Sequence, residues 1–178
     1  MPTFGIRSLS LKQQVAEVFL PVYAPAGRAP AAPAWEGGNA VFALWIGIND
    51  VGNSYYIGDE ARRALNEQIF AGYAQVVTQL YQAGARNFVF VNVPPVHRSP
   101  FTSSRGRGAQ ELEEKAILAF NDDVGVLAKD RVKSAMQGVN VWVLDAYALF
   151  GQVLDDPARY AATKGYRNLT DFCEAYQR

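Results

Sequence analysis

Histidine and cysteine are almost missing from this chain. It has one of each, His97 and Cys173, among 178 residues. That scarcity excludes a zinc centre built from Cys and His, and it excludes an internal disulfide. An excess of either charge is also missing. Seventeen Lys and Arg balance seventeen Asp and Glu, so nothing favours a nucleic acid or an anionic membrane as partner. No apolar run approaches the roughly 20 residues that a membrane-spanning helix needs. The opening Met1-Pro2-Thr3-Phe4-Gly5 lacks the basic start and apolar stretch of a secretory leader. No Gly-rich phosphate loop is present, and no cofactor signature or metal-ligand pattern replaces it.

What is present is a core. Hydrophobic residues make up 49% of the chain, enough for one domain over residues 1–178. Three short runs are aromatic and β-branched with little alternation: Val41-Phe42-Ala43-Leu44-Trp45-Ile46, Phe88-Val89-Phe90-Val91-Asn92-Val93 and Val141-Trp142-Val143-Leu144. Such runs read as strands covered on both faces, near residues 40–46, 87–93 and 140–145.

Between them the spacing is helical. Leu65, Ile69, Gly72, Val76 and Leu80 keep a 3–4 rhythm in a helix near 59–84. Asp59 and Glu60 suit its N-terminus and Gly84 its stop. Leu112, Ala116, Phe120 and Val124 do the same in a helix near 108–136, closed by Gly138. The order β-α-β-α-β implies parallel strands, right-handed crossovers and helices on both faces. Leu9 to Leu20 reads as an amphipathic helix, Pro21 to Pro33 as an irregular connection, Asn92 to Arg107 as a long surface loop and Ala146 to Leu154 as a short helix. Trp35, Trp45 and Trp142 read as core or core-edge residues. Three strands are few for a free-standing sheet, and exposed strand edges would favour self-association.

Ligands of open parallel sheets bind beyond the carboxyl ends of the strands. Three polar groups fall there: Asn49-Asp50, the Pro94-Pro95-Val96-His97 loop, and Asp145. Gly47 after the first strand lets backbone approach a ligand closely. Asn49, two residues on, can aim a side-chain amide into the cleft. That NH₂ is a donor with no proton to lose, which suits a developing oxyanion. Spacing alone favours a plain turn, because Gly, Asn and Asp are the usual turn formers. Asp50 reads as a brace for the loop and Asp145 as a helix cap. Tyr55 and Tyr56 read as cleft wall. His97 reads first as a surface or rim residue, then as a substrate contact, and last as a base. Asn168-Leu169-Thr170 is a glycosylation acceptor triplet, and Cys173 is an unpaired cysteine close to the end.

Gly47-Ile48-Asn49-Asp50 resembles the Gly-x-Asn-Asp block of the GDSL or SGNH hydrolases. The wider run from Leu44 to Tyr55 is similar to the fungal acetylesterase group among them, carbohydrate esterase family 16. Phe90 to Val96, Arg98-Ser99-Pro100, Phe120-Asn121, Val143-Leu144-Asp145 and Gly165-Tyr166-Arg167-Asn168 follow in the expected order. The resemblance covers nearly the whole chain.

It implies a three-layer α/β/α, flavodoxin-like fold that cleaves acyl esters with a serine nucleophile. The implied substrate is a small ester or an acetylated sugar, in a secreted setting, with no cofactor. Of the family's catalytic groups only the oxyanion-hole Asn maps here, onto Asn49 with Gly47 supporting it. Asp50, Tyr55 and His97 are the expected substrate contacts. No Gly-Asp-Ser and no Asp-x-x-His occurs in the sequence. The expectation is therefore a partial domain without the family's first strand and C-terminal catalytic segment. It would be inactive alone, either as part of an ester hydrolase or as a remnant that only binds. An unrelated flavodoxin-like binding module is the third reading.

Overall fold

The computed structural model describes residues 9–172; Cys173 lies outside them. The first helical segment is α-helical over Leu11–Gln13 (α1), π-helical over Gln14–Phe19 and α-helical again over Leu20–Tyr23 (α2). Ser10 and Gln13 close its start as a reciprocal capping box. The wide turn has a cause in the sequence. Pro21 has no N–H to donate and its ring would crowd the carbonyl of the preceding turn. The helix instead winds loosely just before it, and the Leu20 N–H reaches back to the Val15 carbonyl. The helix expected to Leu20 thus runs through Pro21 to Tyr23.

The sheet is β1 (Phe42–Trp45), β2 (Asn87–Val91) and β3 (Asn140–Leu144), all parallel and in sequence order. Leu44, Phe90 and Val143 lie side by side across it. Ile48–Gly52 forms α3 and Asp59–Gln82 forms α4. After β2 come Pro100–Ser103 (α5) and Arg107–Val126 (α6), the latter passing into a π-helical stretch over Leu127–Lys133. Ala146–Asp155 forms α7. The strands and both long helices fall where the residue pattern places them.

The α4 helix begins with Asp59 and Glu60 in its first turn. Arg62 and Lys115 both reach Asp59, and their hydrogen bonds, Lys115 first, hold its carboxyl below the usual range. The helix ends as expected at Gly84, whose φ of 110° only glycine adopts freely. There the Ala85 N–H bonds the Leu80 carbonyl and the Gly84 N–H bonds the Tyr81 carbonyl, both at 3.0 Å.

The core lies between the sheet and the α4–α6 pair. Phe88, Phe90, Ile117, Phe120, Val77 and Val124 are fully buried. Phe70 of α4 meets Phe120 of α6 at 4.8 Å between centroids, and Tyr73 meets Phe90 edge-on at 5.9 Å. Each such side chain stabilises the fold by roughly 1.5–3 kcal/mol through burial. Burial also pushes the Tyr73 hydroxyl far above its ordinary pKa.

Four expectations are corrected. The buried face of α4 carries Asn66, Phe70, Tyr73, Val76, Val77 and Leu80, so Val76 and Leu80 lie on it as expected while Leu65, Ile69 and Gly72 are only partly buried. In α6, Leu112 is 48% exposed while Ala116, Phe120 and Val124 are buried. The segment 92–107 is no free surface loop: Asn92 to Pro95 are buried and it holds two short helical turns. Finally, the described residues do not cover the strands on both faces. Successive right-handed crossovers stepping the same way put both helices on one side. On the other side Trp45 and Trp142 are 58% and 51% exposed, and Leu144 is exposed beside them, so these two tryptophans are not core residues. That face meets α7 only at its end, where Phe150 lies 6.4 Å from Trp45. No helix among the described residues is long and apolar enough to cross a membrane.

Candidate functional site

The carboxyl ends of the strands meet in a set of clasps. Asn121 of α6 grips Val93 from both sides. Its Oδ1 accepts from the Val93 N–H at 2.8 Å and its Nδ2 donates to the Val93 carbonyl at 2.9 Å. Asn92 bridges to the third strand. Its Nδ2 donates to Asp145 Oδ1, and its Oδ1 accepts from the Tyr147 N–H. Asp145 caps α7 by accepting from the Ala148 N–H, the cap role its place in the sequence predicts. The edges of the strand-end cleft are therefore fixed by backbone and amide contacts, as a site built on rigid elements requires.

Gly47 sits at the exit of β1 with φ 117°. A Cβ there would lie 2.3 Å from the Phe120 ring, so both the conformation and the space demand glycine. It opens α3, and the Val51 N–H bonds its carbonyl at 2.9 Å. Asn49 stands exposed in this first turn, and its side chain has no hydrogen-bond partner among the described residues. Ile48 lines a cleft of about 400 Å³ with Trp45, Pro94, Val96, Phe150 and Leu169. Ile48 of this turn and Pro94 to Pro100 thus share one apolar cleft beyond the strand ends, and Asn49 stands next to it in the chain without being one of its lining residues. Arg98 on its rim is held by Asp155 at 2.8 Å.

The other candidate contacts are not gathered there. Asp50 lines a separate cavity of about 300 Å³ beside α4 with Lys12, Ile69, Tyr73 and Phe120. The Asp50 backbone carbonyl accepts from Ser54 Oγ at 2.7 Å, which braces the loop. Tyr55 is only 6% exposed, a core residue with its hydroxyl accepting from Arg105, and it forms no open cleft wall. Tyr56 is the exposed member of that pair.

His97 corrects the sequence reading most. It is 7% exposed, neither a surface nor a rim residue. Its ring stacks on Tyr147 at 6.0 Å, and Nε2 lies 3.6 Å from Glu114 Oε1, beyond hydrogen-bond length. Nδ1 is buried without a partner. Burial lowers its pKa first of all; the Glu114 carboxylate opposes this and Arg98 adds to it. The Tyr147 hydroxyl donates to Glu114 at 3.0 Å, and burial followed by that bond pushes its pKa up to about 12. Glu114 and Tyr147 carried no signal in the sequence. Asn92 did, as a polar residue inside an apolar run. Among the described residues no three acidic, His or Cys side chains converge on a metal position.

A parallel α/β sheet with an apolar cleft and an Asn-bearing turn beyond its strand ends defines a class of ligand-handling α/β proteins. No family model matches the chain. An acetylesterase of Thermothelomyces thermophilus is 32% identical over 163 residues, 91% of this chain and 52% of that protein. A thermolabile hemolysin of Vibrio parahaemolyticus serotype O3:K6 (strain RIMD 2210633) is 27% identical over 140 residues, 78% of this chain and 30% of that one. A GDSL esterase/lipase of Arabidopsis thaliana is 28% identical over 122 residues, covering 60% and 33%. The chain is a relative of the GDSL/SGNH-type esterases, and its α/β sheet is consistent with their flavodoxin-like fold. It spans about half the length of the acetylesterase and about a third of the other two.

Proposed function

We propose that the protein to which this chain belongs hydrolyses small acyl esters, with the Asn49 amide as one donor of its oxyanion hole. The observation that carries this reading is the Gly47–Asn49 turn. It leaves the Asn49 amide exposed and unpartnered after β1, next to Ile48, which lines the apolar cleft. A preformed donor aimed where negative charge develops lowers the barrier because it needs no reorganisation. Gly47 positions it. Asp50, Tyr55 and His97 act on the site from behind the cleft, as supports rather than as contacts to substrate. Acetylated carbohydrates are the substrates we favour, and the name of the acetylesterase relative supports the acetyl part. We infer a secreted setting, and self-association through exposed strand edges together with the uncovered sheet face.

The 178-residue chain alone is expected to be inactive, since its sequence offers no Gly-Asp-Ser and no Asp-x-x-His. The same observation favours a second reading, a remnant that binds esters without cleaving them. The test is Asn49→Ala in a version extended to full catalytic length, assayed on p-nitrophenyl acetate. A fall of about 10²–10³ in kcat is expected. If kcat stays within about threefold, the oxyanion role is wrong. For the isolated chain, turnover of about one per second that disappears in an Asn49→Ala, His97→Ala variant overturns the inactivity reading.

A further inference from the structure

Asn168-Leu169-Thr170 is the only Asn-x-Ser/Thr triplet in the chain, and the ester chemistry leaves it unused. We propose that Asn168 is an N-glycosylation site, presented by a turn in which Thr170 addresses the acceptor amide and Leu169 anchors the segment beside the strand-end cleft.

Asn168 and Thr170 are both exposed. Asn168 Oδ1 accepts three hydrogen bonds: from the Thr170 N–H at 3.0 Å, from the Thr170 hydroxyl at 3.1 Å and from the Asp171 N–H at 3.1 Å. Asn168 Nδ2 donates to Asp171 Oδ2 at 3.0 Å. An amide nitrogen is a poor nucleophile, because its lone pair is shared with the carbonyl. Donors gathered on the carbonyl oxygen make the N–H protons more acidic, and that is the direction the chemistry needs. The hydroxyl at the third position of the triplet supplies one of these donors.

The arrangement is local. Every partner of Asn168 lies within three residues, so the turn can form before the rest of the chain folds around it. In the finished fold Leu169 turns inward instead. It is half-buried and lines the cleft with Trp45, Pro94, Phe150 and Leu154. The inward Leu169 leaves its two polar neighbours facing solvent. Only the exposed bond to Asp171 must open for Nδ2 to react.

The donor is an oligosaccharide carried on a polyisoprenyl diphosphate. Asn168 Nδ2 forms a bond to the anomeric carbon, and the bond from that carbon to the diphosphate oxygen breaks. The diphosphate leaves with the electron pair, and one amide proton passes to a base on the transferring enzyme. Nothing is oxidised or reduced. The glycan would stand at the mouth of the cleft, where its bulk and hydration shield the apolar lining.

The proposal rests on the secretory reading above for its compartment only. A host leader supplies that compartment in the test, so failure of one is distinguishable from failure of the other. The full chain is secreted from a yeast host. Material from cell membranes and from medium is digested with trypsin, with and without peptide-N-glycosidase. Expected is a glycan-bearing peptide that the glycosidase returns with Asp in place of Asn168. Asn168→Gln and Thr170→Ala should abolish the mass shift, and Thr170→Ser should keep it. Asp171→Ala should also keep it, since that bond only competes for Nδ2. The readout needs no folded product. Recovery of the peptide with unmodified Asn168 in both fractions would overturn the proposal, as would a shift that survives Thr170→Ala.

Discussion

Asn92 Nδ2 donates to Asp145 Oδ1 at 2.9 Å, joining the end of β2 to the cap of α7. The same amide accepts from the Tyr147 N–H at 2.9 Å, so one side chain makes two bonds to the first turn of α7. Asn92 is 8% exposed.

Removing that amide leaves the Tyr147 N–H without its partner. Asn92→Ala should therefore cost about 1–3 kcal/mol, the usual penalty for an unsatisfied group. The urea unfolding midpoint is the measurement, with the slope unchanged. Asn92→Asp should fare worse than a simple isostere, because it would set a carboxylate against Asp145. A midpoint for Asn92→Ala equal to the parent's would show that water replaces the clasp.

Gly47→Ala should destabilise by about 2–5 kcal/mol, combining a left-handed backbone with overpacking against Phe120. Thermal unfolding measures it. Phe120→Leu in the same chain should recover only part, because the strained φ remains. Full recovery would assign the whole cost to the ring.

His97 gives a pH dependence whose sign follows from its lowered pKa. The unfolded chain takes up a proton near pH 6.5, while the folded chain resists it. Stability from the neutral buried ring is therefore complete above that value and is lost as pH falls towards the folded pKa. Denaturant titrations at pH 7.5 and 5.5 should show the drop, and His97→Gln should flatten it. An equal drop in the variant would move the effect to the carboxylates.

The uncovered sheet face should drive concentration-dependent association. Trp45, Trp142 and Leu144 expose apolar surface side by side, a patch rarely left open in soluble monomers. Light scattering behind size-exclusion chromatography should find oligomers in the isolated chain. Trp142→Lys should shift them towards monomer. A monomer at every concentration would count against the self-association reading.

The strands were legible because three dense apolar runs stand between two long helical rhythms. Their faces were not. Trp142 and Leu144 look like core residues by type, and only the direction of the crossovers shows that no described helix covers them. Gly47 and Asn49 were legible as a spaced pair. His97 was misread because its burial depends on α6 and α7, which reach it from residues 114 and 147. Spacing in one segment carries no trace of such distant neighbours. The first half of the α4 stripe lies one position from where the apolar rhythm puts it, because Asn66, a polar residue, occupies the buried face and bonds Asp123 across to α6, while Val76 and Leu80 are buried as the rhythm predicts.

The sequence-order pairing of the strands bears on synthesis. Each strand pairs with its nearest predecessor, across a crossover that carries its own covering helix. A nascent chain that has cleared the ribosome through Val91 therefore already holds β1, α4 and β2, with Phe88 and Phe90 side by side on the middle strand. Translation at about 5–20 residues per second gives that unit seconds to close before β3 emerges. Among the described strands none waits for a distant partner, so growth of this part of the sheet can follow the order of the message itself.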